Sequence, residues 1–301
     1  MKAIQYEEYG GPEVLRLAER EEPHAGPGQI RLKVKAVAVN PFDSKLRRGY
    51  MQQFIPVSFP HIPGTEGAGV VDEVGEGVTG ASVGDEVLGY IVSGSYAEYA
   101  LAEDFALKPA GLGWETAAAL PVAARTSRHV LDTLKVTDGD TLLVHGASGV
   151  VASVGVQLAV ARGATVIGTA AGNNHDYLRS LGAIPVTYGD GLADRVREAA
   201  PQGVDAVYDA AGNGVLELSI ELVGGATDRV ATIADFGAPK LGVAMVGTDD
   251  PFGTELAEYA RLAAEGGLNV RIAQSFPLTD AAKAQELSES GHPRGKLLLR
   301  L

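Results

Sequence analysis

The stretch HGASGVVAS, residues 145–153, has residue types suited to holding a phosphate group. It follows the apolar run TLLV, and Gly146 and Gly149 keep its turn free of side chains. A strand that enters a glycine turn and then a helix directs free backbone N–H groups and the positive helix end at one point, which suits a pyrophosphate. We therefore predict a dinucleotide pyrophosphate site made of Ser148, Gly149, Val150, Val151 and Ala152.

Ala152 stands where a dinucleotide loop usually has its third glycine. That position is limited by the packing of the helix against the strand rather than by the approach of the ligand, so alanine is tolerated. We further hypothesise that Gly155, one turn later, relieves the crowding added by Ala152. If so, alanine at position 155 weakens cofactor binding or stability.

The next apolar run, ATVIGTA, ends without an acidic residue. In NAD-selective sites an Asp or Glu near this strand end binds the ribose 2′-hydroxyl, so its absence leaves room for the 2′-phosphate of NADP. We predict NADP(H) as the cofactor, although neither Arg nor Lys lies directly at the strand end. The candidate contacts in this region, each of which could instead be an ordinary loop or helix-start residue, are Thr169, Asn173, Asn174, His175, Arg179 and Tyr188.

The surrounding pattern predicts an α/β protein with two lobes. Six short apolar runs predict strands of a parallel, doubly wound sheet: TLLVHG, ATVIGTA, IPVTYG, VDAVYDAAG, RVATIADFG and VAMVG. Between the first two, Val150, Val154 and Leu158 recur at helical spacing before Gly163. The first third alternates apolar and polar residues between glycine turns, as in IRLKVKAVAV, which is typical of β-strands. We predict domains at 1–118, rejoined by a strand, a helix and a strand in 270–301, and at 119–269.

Composition excludes several classes of function. The 301 residues carry a formal net charge of −13, which disfavours a nucleic-acid or anionic-membrane partner. There is no cysteine, and the six histidines show no metal-ligand spacing, so we expect no metal site. No apolar run is long enough to span a membrane, and the N-terminus does not resemble a secretory signal. We expect a cytoplasmic protein.

The chain resembles, nearly end to end, the zinc-independent medium-chain dehydrogenases/reductases of the NADPH:quinone oxidoreductase family. The resemblance rests on blocks in family order: VAVNPFDSKLRRG, IPGTEGAGVVDEVG, VGDEVLGY, GSYAEYALA, AAALPVAARTS, LLVHGASGVVASVGVQLA, LRSLGA, VDAVYDAAG and RGKLLLRL. It implies a GroES-like β-rich catalytic domain, a Rossmann domain, and hydride transfer from NADPH in the cleft between them. It also implies a homodimer, formed through edge strands of the Rossmann sheets around VAMVG.

The same resemblance indicates whether the chain has the zinc ligands of its zinc-dependent relatives. In zinc-dependent relatives a Cys occupies the position of Asn40, and a His follows the glycine where this chain has Gly64, Thr65 and Glu66. Both ligand positions are therefore empty. Without a Lewis acid to polarise a carbonyl, alcohol oxidation is disfavoured, and hydride delivery to conjugated acceptors such as quinones or enones is favoured.

The resemblance implies roles for individual residues. Asn40 matches an Asn beside the nicotinamide whose amide could bond the acceptor oxygen, the alternative being a turn-stabilising Asn before Pro41. Thr126 matches a Thr that bonds the nicotinamide, and its neighbour Arg125 either adds charge near the cofactor or faces solvent. Candidate substrate contacts are Lys45, Tyr50, Phe54 and Arg125. Lys45 replaces a Tyr of some quinone reductases, so that residue's contact does not transfer; packing or solvent exposure is the alternative for Lys45, Tyr50 and Phe54.

Later strand ends complete the predicted cofactor channel. Ala211 and Gly212 follow one strand, and Ile233 and Ala234 follow the next, so their backbones should line the nicotinamide. Lys296, in RGK, matches a family position close to the cofactor; a surface charge is the alternative. Three hypotheses remain open: a reductase of quinones or enones, an enoyl reductase for thioester or polyketide substrates, and a protein that binds NADPH without turnover.

Overall fold

The structure is a computed structural model that describes residues 1–247, 255–291 and 293–301. The strands are β1 Lys2–Gln5, β2 Arg16–Glu19, β3 Ile30–Val39, β4 Glu66–Val74, β5 Glu86–Ile91, β6 Tyr99–Leu107, β7 Thr141–His145, β8 Thr165–Thr169, β9 Ile184–Val186, β10 Ala206–Asp209, β11 Val230–Thr232, β12 Ala244–Met245, β13 Ile272–Pro277 and β14 Lys296–Arg300. The helices are α1 Pro41–Arg47, α2 Trp114–Thr133, α3 Val150–Ala161, α4 His175–Ser180, α5 Leu192–Ala199, α6 Leu216–Leu222, α7 Glu255–Ala264 and α8 Ala281–Glu289.

Contacts divide the chain into two compact units, residues 1–122 with 251–301 and residues 123–250. The domain limits expected from the sequence, after residues 118 and 269, stay a prediction. The α/β class is confirmed, with a mainly antiparallel sheet in the first unit and a parallel sheet in the second. Within the described ranges, no helix has the length and apolar character needed to cross a membrane.

The first unit is built on a six-stranded sheet in the order β13-β14-β3-β4-β5-β6, and β3 also pairs with β6. Alternation in β3 buries Ile30, Leu32 and Val34 and leaves Lys33 exposed, so one sheet face forms the core. The final segment forms the predicted strand, helix and strand, and β14 pairs antiparallel with β3. The C-terminal residues therefore complete the sheet of the first unit.

The register of three neighbouring strands brings distant residues to one sheet end. Leu297 of β14 lies opposite Val39 of β3, and Val37 of β3 lies opposite Gly67 of β4. The first residues of β14 and of β4, and the residue that follows β3, therefore lie at the same edge of the sheet. The polar side chains at that edge are Lys296, Glu66 and Asn40.

The turn from β3 into α1 is fixed by a buried carboxylate. Oδ2 of Asp43 accepts hydrogen bonds from the backbone N–H of Asn40 at 2.9 Å and from the hydroxyl of Tyr96 at 3.0 Å. Asp43 thus braces the loop that presents Asn40. Burial raises the pKa of the Asp43 carboxyl to about 7, against the opposing effect of those two hydrogen bonds and of the Lys296 charge.

The second unit has all six predicted strands, in one parallel sheet of order β12-β11-β10-β7-β8-β9. Counted from its first strand this is 3-2-1-4-5-6, a doubly wound sheet whose strand order reverses between β7 and β10. Ligands bind such sheets in the crevice outside the carboxyl ends of the strands at that reversal. The HGASG loop leaves β7 at this point.

Helix α3 spans Val150–Ala161 and is followed by Gly163 at a φ of +87°, as the spacing predicts. Its close approach to the sheet occurs at Gly155. A Cβ at that position would lie 2.9 Å from Cε1 of Tyr208 on β10 and 3.4 Å from Oγ of Ser127. The crowding that Gly155 relieves therefore comes from the buried Tyr208 ring.

We predict that Gly155→Ala destabilises the protein. The added methyl overpacks a fully buried contact, which costs about 1–3 kcal/mol, while the better helix propensity of Ala returns at most about 1 kcal/mol. Urea unfolding should show a net loss, whereas Gly113→Ala, with no atom within 4 Å of the new Cβ, serves as the control. A Gly155→Ala protein as stable as the wild type would contradict this packing.

We also predict a pH signature from Asp43. Because the folded pKa of about 7 exceeds the ordinary value of 3.8, the folded state binds this proton more tightly, so this residue's contribution to stability is present below pH 4 and is lost as pH rises through 7. Asp43→Asn cannot titrate, so its stability relative to wild type should rise by up to about 4 kcal/mol between pH 4 and pH 8. Denaturant unfolding across this range measures it; a constant difference would show that Asp43 does not titrate there.

Candidate active site

The glycine loop after β7 is held in place by the end of β8. The backbone N–H of Gly146 donates to Oγ1 of Thr169 at 3.1 Å, and the N–H of Ala147 donates to the Thr169 carbonyl at 3.0 Å. Gly146 has a φ of +67°, a conformation that side chains rarely adopt. Thr169, predicted as a cofactor contact, therefore shapes the loop through its hydroxyl and its backbone.

The start of α3 presents unsatisfied donors. Gly149 is the N-cap residue and has no capping side chain, and the first helical hydrogen bond runs from Ser153 N–H to the Gly149 carbonyl at 2.8 Å. By helix geometry, the N–H groups of the first turn have no carbonyl partner within the helix. Those groups belong to the predicted phosphate-binding residues Val150, Val151 and Ala152. The Ala152 side chain is buried, and the limit set by packing at this position stays a prediction.

The other predicted contacts of the 2′-phosphate region cluster in part. Nδ2 of Asn174 lies 3.4 Å from Oγ of Ser148, which joins the strand-end turn to the glycine loop. Nε2 of His175 lies 3.4 Å from Oγ1 of Thr187, beside the 59% exposed Tyr188. Asn173 is exposed in the same turn as Asn174.

Arg179 and Arg195 have different local roles. Arg179 is exposed and forms an ion pair with Asp176 at 2.7 Å, so its charge is shared with that carboxylate. Arg195, which sequence reasoning missed, donates to the carbonyls of Thr187, Tyr188, Gly189 and Asp190. Arg195 thereby shapes the loop that carries Tyr188.

The loops after β10 and β11 are tied together by one carboxylate and one hydroxyl. Oδ1 of Asp209 accepts from the N–H groups of Ala211 and Gly212, at 2.9 and 3.0 Å, and its Oδ2 accepts from the Thr232 hydroxyl at 2.7 Å. The same hydroxyl oxygen accepts from the N–H of Ala234 at 3.0 Å. The predicted channel residues are thus held by the buried side chains of Asp209 and Thr232.

These loops lie side by side. A Cβ at Gly212, which has a φ of +64°, would approach Ala234 to 2.9 Å, and a Cβ at Gly146 would approach Ala211 to 3.4 Å. Ile233, beside Ala234, donates its N–H to the Asp209 carbonyl at 3.0 Å. The glycines let three backbones approach closely at the sheet reversal, so the residues present fit a dinucleotide cofactor at the carboxyl edge of this sheet.

In the first unit, Asn40 is part of a buried polar cluster. Its Nδ2 donates to Oε1 of Glu66 at 2.9 Å, and its Oδ1 accepts from Nζ of Lys296 at 2.6 Å. Nζ of Lys296 lies 2.7 Å from the same Glu66 oxygen, and the two side chains are 3% and 0% exposed. Lys296 is therefore not a surface charge.

The donor set of this cluster does not suit a zinc ion. An amide and an ammonium group face Glu66, and an ammonium group cannot be a metal ligand. Among the residues that the structure describes, no group of three His, Cys, Asp or Glu side chains could hold a metal.

The predicted substrate contacts are distributed over three places. Lys45 and Tyr50 line one open groove of about 510 Å³, together with Pro41, Ser44, Arg48, Ser288 and Glu289. Phe54 is 79% exposed and is absent from that lining. Thr126 and Arg125 are buried positions of α2 in the second unit, so Arg125 does not face solvent.

Glu66 is the main residue that sequence reasoning missed. In the sequence it stands beside the empty zinc-ligand position. The sequence feature that indicates this pair is a charged residue at the start of each of two largely apolar strands, Glu66 in EGAGVV and Lys296 in KLLL. Opposite charges in such places are expected to pair, because an unpaired buried charge is costly.

Comparisons with known proteins agree with the two-unit architecture. Residues 26–114 match the model of the alcohol dehydrogenase GroES-like domain, and residues 181–299 match the model of the zinc-binding dehydrogenases. The fold is thus the predicted one, a GroES-like unit joined to a Rossmann unit. The second match concerns the fold, since the donor set around Glu66 does not suit zinc.

Individual relatives are similar over much or all of the chain. The quinone oxidoreductase of Rattus norvegicus is 30% identical over 100% of this chain and 98% of its own length. The 2-methylene-furan-3-one reductase of Solanum lycopersicum is 35% identical over 75% of this chain and 61% of its own length. The solved structure of Escherichia coli quinone oxidoreductase complexed with NADPH covers 100% of both chains with a TM-score of 0.84 and 27% identity.

These similarities extend through both units and include the glycine-loop region, which supports an oxidoreductase that binds a nicotinamide cofactor. The chain belongs to the quinone oxidoreductase family of the medium-chain dehydrogenases/reductases.

Proposed function

We propose that this protein is an NADPH-dependent, metal-independent oxidoreductase that transfers hydride to a quinone or an α,β-unsaturated carbonyl compound. The observation that carries the proposal is the glycine loop at the reversal of the parallel sheet, where the first-turn N–H groups of α3 are available for a pyrophosphate. The E. coli relative complexed with NADPH supports the class of cofactor.

The preference for NADPH rests on the end of β8. Residues 169–174 contain no carboxylate that could bind a ribose 2′-hydroxyl, and a negatively charged 2′-phosphate would meet no acid within that segment. Polar groups in this turn come from Asn173, Asn174 and His175. The His175 ring lies beside the Thr187 hydroxyl, and the next residue, Tyr188, is exposed.

Metal independence rests on the partners of Glu66. Its Oε1 is already paired with an ammonium group and an amide N–H, and the chain has no cysteine. Polarisation of the acceptor must then come from hydrogen-bond donors, of which Asn40 is our candidate. Conjugated acceptors suit such a site because their carbon skeleton already accepts electron density.

The chemistry divides between the cofactor and this chain's residues. NADPH, held by the loop after β7, would supply the hydride for an electron-poor carbon of the acceptor. Asn40 is proposed to donate a hydrogen bond to the acceptor oxygen, where negative charge develops, and Thr126 to bond the nicotinamide. Solvent then protonates the product, since no side chain is assigned as proton donor. A homodimer in the cytoplasm stays a prediction.

The first test is the oxidation of NADPH, followed by absorbance, with a panel of quinones and free enones, and with acyl thioesters in parallel. We expect turnover with quinones or enones and a preference for NADPH over NADH. Faster turnover of acyl thioesters would support the enoyl reductase alternative, and tight NADPH binding without turnover of any acceptor would support a binding protein. The Solanum lycopersicum relative, by its name a reductase of 2-methylene-furan-3-one, supports the inclusion of enones in the panel.

A loop variant tests the pyrophosphate site directly. Gly149 has a φ of −68° and a ψ of 159°, which valine also adopts, but a new Cβ would lie 3.2 Å from the Gly146 carbonyl oxygen. Thermal unfolding is therefore measured first, to show that Gly149→Val is folded. Its side chain would occupy the space beside the free N–H groups and raise the Kd for NADPH at least about tenfold. Fluorescence titration of NADPH measures this, with Gly113→Ala as the control; unchanged affinity would argue against a phosphate at this loop.

A second variant tests the tie between the β10 and β11 loops. Thr232→Val removes the hydroxyl that donates to Asp209 and leaves buried polar groups without a partner, at a cost of about 1–3 kcal/mol. We expect lower thermal stability and weaker NADPH binding. Thr165→Val, at the exposed start of β8, is the matched control. Loss of stability with unchanged NADPH affinity would place these loops away from the cofactor.

A further inference from the structure

Glu66 and Lys296 enclose the side-chain amide of Asn40, and we call these two residues the amide clamp. Lys296 Nζ approaches Oδ1 of Asn40 to 2.6 Å, while Glu66 Oε1 accepts from its Nδ2 at 2.9 Å. The second oxygen of Glu66 accepts the backbone N–H of Val122 at 2.7 Å. Val122 follows Pro121 inside α2, where the proline lacks an N–H of its own. Both carboxylate oxygens of Glu66 are therefore fixed.

The chemistry of the clamp dictates the orientation of the amide. An ammonium group only donates hydrogen bonds and a carboxylate only accepts them. The amide oxygen must therefore face Lys296 and the amide nitrogen must face Glu66. A rotated amide would place two acceptors together and two donors together inside a buried cluster.

This orientation leaves one specific group for a ligand. The Nδ2 group has two protons, and Glu66 takes one of them. The oxygen is used by Lys296. The clamped amide therefore keeps one N–H for an outside ligand, whereas its oxygen already accepts a charge-assisted bond from Lys296.

The Lys296 charge also increases the strength of that donor. A cation at the amide oxygen withdraws electron density from the amide nitrogen, and hydrogen bonds in series strengthen each other at low dielectric. Stability alone does not explain such a pair, because apolar side chains of similar volume are often as stabilising as a buried ion pair. A directed, polarised N–H is what the pair adds.

We propose that Glu66 and Lys296 are positioning residues that orient and polarise the Asn40 amide, so that its second Nδ2 proton is donated to the carbonyl oxygen of the hydride acceptor. This inference rests on the proposed function. Glu66 and Lys296 then contribute to the reduction without contacting the acceptor themselves. Acting through Asn40, the charged pair takes the place of a Lewis acid that would otherwise polarise the carbonyl.

The test removes both charges together. Glu66→Gln/Lys296→Gln leaves neither member of the pair as an unpaired charge. The Val122 N–H keeps the oxygen of the glutamine at position 66, so its amide nitrogen faces Asn40 and cannot accept from Nδ2. The Asn40 amide thereby loses both its fixed orientation and the polarising cation. With NADPH and an enone, kcat should fall at least about tenfold, while the Kd for NADPH and the thermal unfolding temperature stay near wild type. The matched control, Asp280→Asn/Lys283→Gln, removes an exposed ion pair of the same unit at 3.0 Å and should keep wild-type kcat.

A merely structural role is tested by measuring kcat with a series of enones of equal size whose substituents differ in electron withdrawal. If the clamp polarises the carbonyl, the kcat of the double variant should depend more steeply on the electrophilicity of the acceptor than the kcat of the wild type does. Wild-type kcat in the double variant, or a loss by the same factor for every acceptor, would overturn the proposal.

The clamp can be tested apart from turnover. The Asn40 side-chain amide protons, assigned in NMR spectra by their loss in Asn40→Ser, should shift upfield in the double variant because the bond to a carboxylate and the nearby cation are gone. Absence of this shift would overturn the proposal even in an active enzyme. If the wild type turns over no acceptor, the proposed function fails, and an observed shift would still retain the clamp as an amide-orienting device.

Discussion

The buried pair of Glu66 and Lys296 is the interaction on which the candidate chemistry of the first unit depends. Two opposite charges, 2.7 Å apart and excluded from solvent, are tolerable only because each also has a hydrogen-bonded partner. The pair forms because β14 and β4 flank β3 in register. The sheet thus places a cation and an anion beside Asn40, and the turn that Asp43 stabilises places Asn40 between them.

In the second unit, several loop backbones lie close together, as binding of one extended ligand would require. Its sheet reverses direction between β7 and β10, and loops from these strands meet where glycines allow close approach. Asp209 and Thr232 satisfy the N–H groups of the later loops, whereas the first-turn N–H groups of α3, our proposed phosphate ligands, have no partner within the helix. Rigid loops beside free donors are what a preorganised dinucleotide site requires.

Local patterns predicted much of this architecture. The six apolar runs became the six parallel strands, and the spacing of Val150, Val154 and Leu158 marked α3 to within its observed limits. Contacts that depend on strand register were not predictable in the same way. Glu66 and Lys296 are separated by most of the chain, and only the pairing of β14, β3 and β4 shows that they meet. The loop-shaping bonds of Arg195 likewise follow from a loop conformation that residue types do not specify.

The central claim is that the clamped Asn40 amide donates to the oxygen of the acceptor. A crystal structure of the protein with NADP⁺ and a bound quinone or enone tests it most directly. We expect the acceptor oxygen about 3 Å from Nδ2 of Asn40, with Oδ1 still bonded to Lys296. An acceptor oxygen held by another donor, with the Asn40 amide bonded only to Glu66 and Lys296, would contradict it.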